Sequence, residues 1–208
     1  MGLYTEYVVP RIVNLACGSP QIDEWRATTC RTLTGTVVEI GFGSGLNVTH
    51  YPTTVTLVNA VEPSAVSMKL ASRRIRDSTI SIHQAGLDGQ VLALPDASCD
   101  SALVTFTLCT IPDAPLALRE LHRVLRPGGE LHFLEHGLAP NRRVARWQHR
   151  LDPFERRVAD GCHLTRDPLE LVANAGFEII WKVQRFAKGP KPWTYFTAGV
   201  AKKSSTMP

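Results

Sequence analysis

The chain has 208 residues, 44% of them hydrophobic and 20% charged, with a formal net charge of +4. Composition this close to the globular average excludes a disordered, collagen-like or coiled-coil chain, and the mild charge does not mark a dedicated nucleic-acid binder. Five cysteines (Cys17, Cys30, Cys99, Cys109 and Cys162) with no C-x-x-C pair argue against a disulfide framework and fit a reducing compartment.

From residue 36 the chain alternates short β-branched runs with helical patterns. The runs are residues 36–40, 55–61, 80–83, 101–105 and 130–134, with helices expected over about 64–76 and 114–125. The second helix carries the stripe Leu116, Leu118, Leu121, Val124 and Leu125 and stops at the breakers Arg126-Pro-Gly-Gly129. Such alternation predicts an α/β fold, a doubly wound and mostly parallel seven-stranded sheet with helices on both faces. Two regions interrupt the pattern. Residues 1–34 read as an N-terminal helical segment, and 137–176 as a helical insertion after the fifth strand. Residues 177–186 and 193–202 read as closing strands in a hairpin, which adds an antiparallel strand. A single domain over 1–208 is expected, with 35–136 as its core and 177–203 as its closing strands. No apolar run reaches bilayer length and the N-terminus lacks a secretory pattern, so the expected location is cytoplasmic.

The richest segment is Val37-Val-Glu-Ile-Gly-Phe-Gly-Ser-Gly-Leu-Asn47. A hydrophobic strand runs into Gly41, Gly43 and Gly45, with a helix expected after them. Glycine is needed where a backbone turns sharply or a ligand leaves no room for Cβ, and the end of the first strand of a doubly wound sheet is where a nucleotide sits. Leu46 stands where a dinucleotide fingerprint needs its third glycine, and no G-x-x-x-x-G-K loop occurs. Glu39, just inside the strand, suits a positively charged cofactor part rather than a phosphate. Glu62 ends the second strand, where a carboxylate can accept hydrogen bonds from both ribose hydroxyls. The plainer alternative is a tight turn and a solvated strand end.

Four ordered motifs resemble those of the class I S-adenosylmethionine-dependent methyltransferases. They are Glu39-Ile-Gly-Phe-Gly-Ser-Gly45, Val61-Glu-Pro-Ser64, Leu94-Pro-Asp-Ala-Ser-Cys-Asp100 and Arg119-Glu-Leu-His-Arg-Val-Leu-Arg-Pro-Gly-Gly129. The last two look like the quinone/sterol-type subgroup. Three further segments look like a narrower group that includes enzymes methylating alkyl thiols. These are Leu108-Cys-Thr-Ile-Pro-Asp113, Phe133-Leu-Glu-His-Gly137 and Asp160-Gly-Cys-His-Leu-Thr-Arg-Asp167. The resemblance implies S-adenosyl-L-methionine as cofactor and S-adenosyl-L-homocysteine as product. It implies that Gly41, Gly43 and Gly45 line the methionine and ribose, that Glu39 lies near the methionine amino group, and that Glu62 binds the ribose diol. Pro63, Ser64, Gly86 and Leu87 would surround the adenine, although many members carry Asp where Leu87 stands. Thr105 and Phe106 would meet the methionine end.

Methyl transfer asks the acceptor side for alignment, exclusion of water and a deprotonated nucleophile. His163 and His136 are the candidate bases, with Asp152 as an orienter of His163; His136 reads equally as a strand cap. A lone Cys162 is most simply a small buried residue, and no second Cys or His stands at zinc spacing, so no metal site is expected. Tyr4, Tyr7 and residues 8–15 form either a lid over the cofactor or an ordinary packed helix. Trp193 and Tyr195 either wall the acceptor pocket or belong to the core.

Residues 142–157 hold Arg142, Arg143, Arg146, Arg150, Arg156 and Arg157. A solvated face is the leading reading of this basic helix and a peripheral membrane-surface contact the next, with no nucleic-acid partner expected. The functional expectation is methyl transfer to a small lipophilic acceptor, a thiol or a phenolic or heterocyclic hydroxyl. The competing readings are an RNA or protein methyltransferase docking through the basic helix, and a non-catalytic cofactor-binding module.

Overall fold

The computed structural model describes residues 4–204. A π-helical turn, Tyr4–Val8, leads into α1 (Val9–Cys17) and α2 (Pro20–Cys30). The core then runs β1 (Gly35–Ile40), β2 (Val55–Val61), α3 (Ala65–Arg76), β3 (Ser81–Gly86), β4 (Cys99–Thr105), α4 (Ala114–Val124) and β5 (Leu125–His136). The chain closes with α5 (Arg142–Val158), α6 (Pro168–Asn174), β6 (Phe177–Phe186) and β7 (Tyr195–Lys203).

The seven strands form one sheet in the order β3-β2-β1-β4-β5-β7-β6. All neighbours up to β5 pair parallel, and β7 lies antiparallel to both β5 and β6. The expected doubly wound sheet with an antiparallel closing strand is therefore present.

Alternation along the strands distributes two cores. Val38, Ile40, Val104, Leu131 and Phe133 turn to the face covered by α4, whose Ala117, Leu118 and Leu121 are fully buried there, and by α6 through Val172. Val37, Val58, Ala60 and Leu103 turn to the opposite face, against Cys30 at the end of α2 and Ala71 of α3. Burial on both faces explains why the central strands read as continuous apolar runs. Two caps fix helix starts at the cofactor edge: Ser64 Oγ accepts from Ser67 N at 3.1 Å, and Asp113 Oδ1 from Leu116 N at 2.8 Å.

Two local expectations need correction. No α-helix follows the glycine loop; residues 46–54 contain only the 3-10 turn Val48–His50 before β2 begins. A stretch that short, with Pro52 near its end, leaves too little chain for a full crossover helix. The segment Arg126–Gly129 is also no break between elements but a bulged lead-in to β5. Cys99 pairs with Leu125, whereas Ser101 pairs with Glu130, so the extra residues are absorbed in the strand, with Gly128 at φ +79°. Among the described residues, no helix is long and apolar enough to cross a membrane.

Candidate active site

The carboxyl ends of β1, β2, β4 and β5 converge on the glycine loop. Gly41, Gly43 and Gly45 all have positive φ, at +71°, +58° and +74°. Their surroundings differ. A Cβ at Gly41 would lie 2.0 Å from Thr107 Oγ1, so this glycine lets the β4 exit pack against the loop. A Cβ at Gly43 would meet no atom nearer than the Gly41 carbonyl oxygen at 3.7 Å, so this glycine faces open space. That space is room for a ligand to approach the loop backbone.

Glu62, buried at the end of β2, holds the loop. Its Oε2 accepts from Gly43 N at 2.8 Å and its Oε1 from Ser64 N at 2.9 Å. Burial raises its pKa despite these two donors, and the nearby Asp160 carboxylate adds to the rise. Beside Glu62, Pro63 is exposed, Ser64 caps α3, Gly86 O accepts from Glu62 N at 3.1 Å, and Leu87 projects into solvent.

Glu39 lies deeper. It is fully buried, with Oε1 accepting from Asn47 Nδ2 at 2.8 Å and Oε2 from the Tyr51 hydroxyl. Burial lifts its pKa to about 7, with the Tyr51 and Asn47 hydrogen bonds and the Arg26 charge pulling it back. Arg26 is the central residue that sequence reasoning missed. From α2 it donates to Asn47 Oδ1 at 2.7 Å and Thr105 Oγ1 at 2.9 Å, while its guanidinium carbon lies 5.5 Å from the Phe106 ring centre. The available signal was an arginine inside the buried pattern Trp25, Arg26, Thr29, Cys30. Glu39 and Thr105 thus belong to one buried network behind the loop, and Phe106 leaves β4 at φ +54°, in the left-handed region.

α1 crosses the loop from the other side. Asn14 Oδ1 accepts from Ser44 Oγ at 2.7 Å, and the Tyr4 hydroxyl donates to Val158 O at 3.1 Å. The N-terminal segment accordingly bridges the glycine loop and the end of α5. Tyr7 is exposed there, as are Ile12, Val13 and Leu15 of α1.

On the acceptor side, three segments meet at the ends of β4 and β5. Glu135, fully buried, accepts from the backbone amides of Thr107, Leu108 and Cys109 at 2.8, 2.9 and 3.3 Å. Arg166 donates to the Ile111 and Pro112 carbonyls at 2.7 and 3.2 Å, and His163 N donates to Cys109 O at 2.7 Å. His136 Nε2 lies 3.0 Å from Cys162 Sγ. Of the candidate bases, His136 is thus engaged with a thiol, and His163 is half-buried one residue farther on. Its Nδ1 lies 3.9 Å from Asp152 Oδ2, beyond hydrogen-bond reach. Asp152 instead fixes the loop backbone, its Oδ1 accepting from Leu164 N at 2.8 Å. Trp193 donates to Glu155 Oε2 at 2.9 Å, and Tyr195 is buried at the start of β7. The α5 arginines all face solvent.

The sequence matches the family described as "Methyltransferase domain" over residues 38–133. It is 29% identical over 171 residues to thiol S-methyltransferase TMT1B of Rattus norvegicus, covering 79% of this chain and 67% of that protein. It is 31% identical over 169 residues to thiol S-methyltransferase TMT1B of Homo sapiens, covering 78% and 66%. The chain therefore spans about two thirds of the length of these relatives. Among solved structures, a putative methyltransferase from Bacillus halodurans superposes with a TM-score of 0.69 at 14% identity, covering 88% of this chain and 99% of that one. Strand order, the open face of Gly43, Glu62 at the end of β2 and these likenesses agree. The chain belongs to the class I S-adenosylmethionine-dependent methyltransferases.

Proposed function

We propose that this protein transfers the methyl group of S-adenosylmethionine to a small lipophilic thiol. The observation that carries this reading is the meeting of residues 108–113, 133–137 and 160–167 beside the glycine loop. These are the segments that resemble the thiol-methylating group, and the curated relatives matching most of the chain bear that activity in their names.

The cofactor supplies an electrophilic sulfonium methyl. The chain's share is alignment, exclusion of water and presentation of the acceptor. Glu62 would accept from the ribose hydroxyls while its bonds to Gly43 and Ser64 keep the loop in place. Gly43 leaves room for the ligand chain, and the Arg26–Asn47–Glu39 network sets polarity behind the methionine end. The acceptor sulfur would lie near Phe106 and Cys162 and meet the methyl as a thiolate. When bound, S-adenosylmethionine would supply the methyl, the acceptor sulfur forming its C–S bond as the donor C–S bond breaks and leaves its electron pair on the donor sulfur.

A lipophilic acceptor fits the molecule's periphery. Ile12 and Leu15 of α1 and Trp147 and Phe154 of α5 are exposed, and the last two sit among arginines. Apolar side chains rimmed by arginine suit a membrane surface, where such acceptors partition.

The test is an acceptor screen of alkyl thiols, phenols, quinolones and quinones that reads release of S-adenosylhomocysteine. Turnover confined to the thiols is expected; turnover confined to the phenols would overturn the thiol assignment.

A further inference from the structure

The sequence places no two metal-ligating residues at zinc spacing, yet the fold brings three together. One donor atom each from Cys109, His136 and Cys162 lies within 4.8 Å of the others. The three come from separate segments: the β4 exit, the end of β5 and the loop after α5. Both thiols are buried, and His136 turns its Nε2 to the cluster, 3.0 Å from Cys162 Sγ.

The backbone around the cluster is fixed by contacts that do not involve these donors. Glu135 anchors the amides of residues 107–109, Arg166 clamps Ile111 and Pro112, and Asp152 holds Leu164. His163 N closes the gap by donating to Cys109 O. Such preorganisation is what a three-ligand site requires. Two thiols alone would serve a disulfide equally well. The imidazole makes a soft-and-borderline donor set of the kind that selects zinc.

We infer that Cys109, His136 and Cys162 bind a zinc ion whose fourth position takes an exogenous sulfur ligand. Tetrahedral zinc spaces sulfur and nitrogen donors roughly 3.5–3.8 Å apart. The 3.0 Å between His136 Nε2 and Cys162 Sγ must then open by about half an ångström, a side-chain adjustment. No fourth Cys, His, Asp or Glu joins the cluster among the described residues. Three protein ligands with one open position is the pattern of a working rather than a structural zinc. Glu135, the nearest carboxylate in sequence, is already engaged by three amides.

The role of the open position rests on the thiol reading above. An incoming thiol displaces zinc-bound water, leaves its proton with solvent and stays bound as a thiolate. That sulfur lies at the acceptor side of the glycine loop, because Thr107, two residues before Cys109, packs on Gly41. Methyl transfer then converts it to a thioether, a weaker ligand that departs.

The test uses the full chain, purified with reductant and supplied with zinc. Metal analysis should find about one zinc per chain, and Cys109→Ser or Cys162→Ser should weaken binding at least about tenfold. Cys99→Ser, a buried thiol outside the cluster, should leave zinc unchanged, and thermal melts would confirm that each variant folds. Cobalt in place of zinc should give a thiolate charge-transfer band that shifts when an alkyl thiol is added. Background zinc in folded, reduced wild-type protein would overturn the site, as would equal loss in Cys99→Ser. A cobalt spectrum indifferent to thiol would overturn the open-position role. Zinc binding without methyl transfer to any thiol would count against the proposed activity but not the site.

Discussion

Glu62 holds Gly43 in place: the carboxylate accepts a hydrogen bond from the loop's amide at 2.8 Å, so the shape of the loop depends on this side chain. Hydrogen bonds to a charged group contribute more than neutral ones, about 1.5–3 kcal/mol each. Glu62→Ala should therefore weaken S-adenosylhomocysteine binding by about 10- to 100-fold in titration calorimetry. Unchanged affinity in a folded variant would remove Glu62 from the site.

The glycines separate a packing role from a ligand role. Gly41→Ala drives a methyl into Thr107 and should lower stability by about 2–4 kcal/mol, enough to shift the thermal midpoint markedly. Gly43→Ala meets nothing nearer than the Gly41 carbonyl oxygen at 3.7 Å, so its stability cost should be only the left-handed penalty of about 1–2 kcal/mol. Its methyl enters the ligand space, and cofactor affinity should fall disproportionately.

Glu39 predicts a pH signature. Its carboxyl is raised to about 7 from an ordinary 4.5, so between these values the folded state holds a proton that the unfolded state has released. Its contribution to stability is full below 4.5 and is lost as pH rises through about 7. Glu39→Gln should flatten the pH dependence of the thermal midpoint across that window. An unaltered profile would show that Glu39 ionises normally.

Arg26 is a second buried charge whose removal leaves Asn47 and Thr105 short of a donor. Arg26→Ala should destabilise by about 3–5 kcal/mol, as for other broken buried charge networks. Arg26→Lys should recover only part of this, because the shorter side chain must bring one ammonium to the place where a single guanidinium nitrogen now meets both acceptors.

The α5 arginines face solvent, which favours surface contact over a structural role. Reversing Arg143 and Arg146 should change stability by less than about 0.5 kcal/mol and turnover of a small soluble thiol hardly at all. Sedimentation with anionic vesicles should fall in the same variant.

Much of this was legible in the sequence because it depends on local order. Val37–Ile40 followed by three alternate glycines specifies a strand and a tight loop, and Glu62 is marked by closing the next apolar run. The helix expected after Gly45 fails because Pro52 and the short span before Val55 leave it no room. Arg26 was hidden because its partners, Asn47 and Thr105, lie 21 and 79 residues away in sequence. The Cys109–His136–Cys162 cluster was hidden for the same reason: spacing rules detect ligands on one loop, and here three loops each supply one. The Asn14–Ser44 contact was hidden likewise, since its two residues lie 30 apart in sequence.

Methyl transfer to a thiol sulfur is tested by product identification with methyl-labelled S-adenosylmethionine. Purified protein incubated with labelled cofactor and an alkyl thiol should yield labelled S-methyl thioether and S-adenosylhomocysteine in equal amounts by mass spectrometry. Tight S-adenosylhomocysteine binding with no labelled thioether across a panel of alkyl thiols would contradict it.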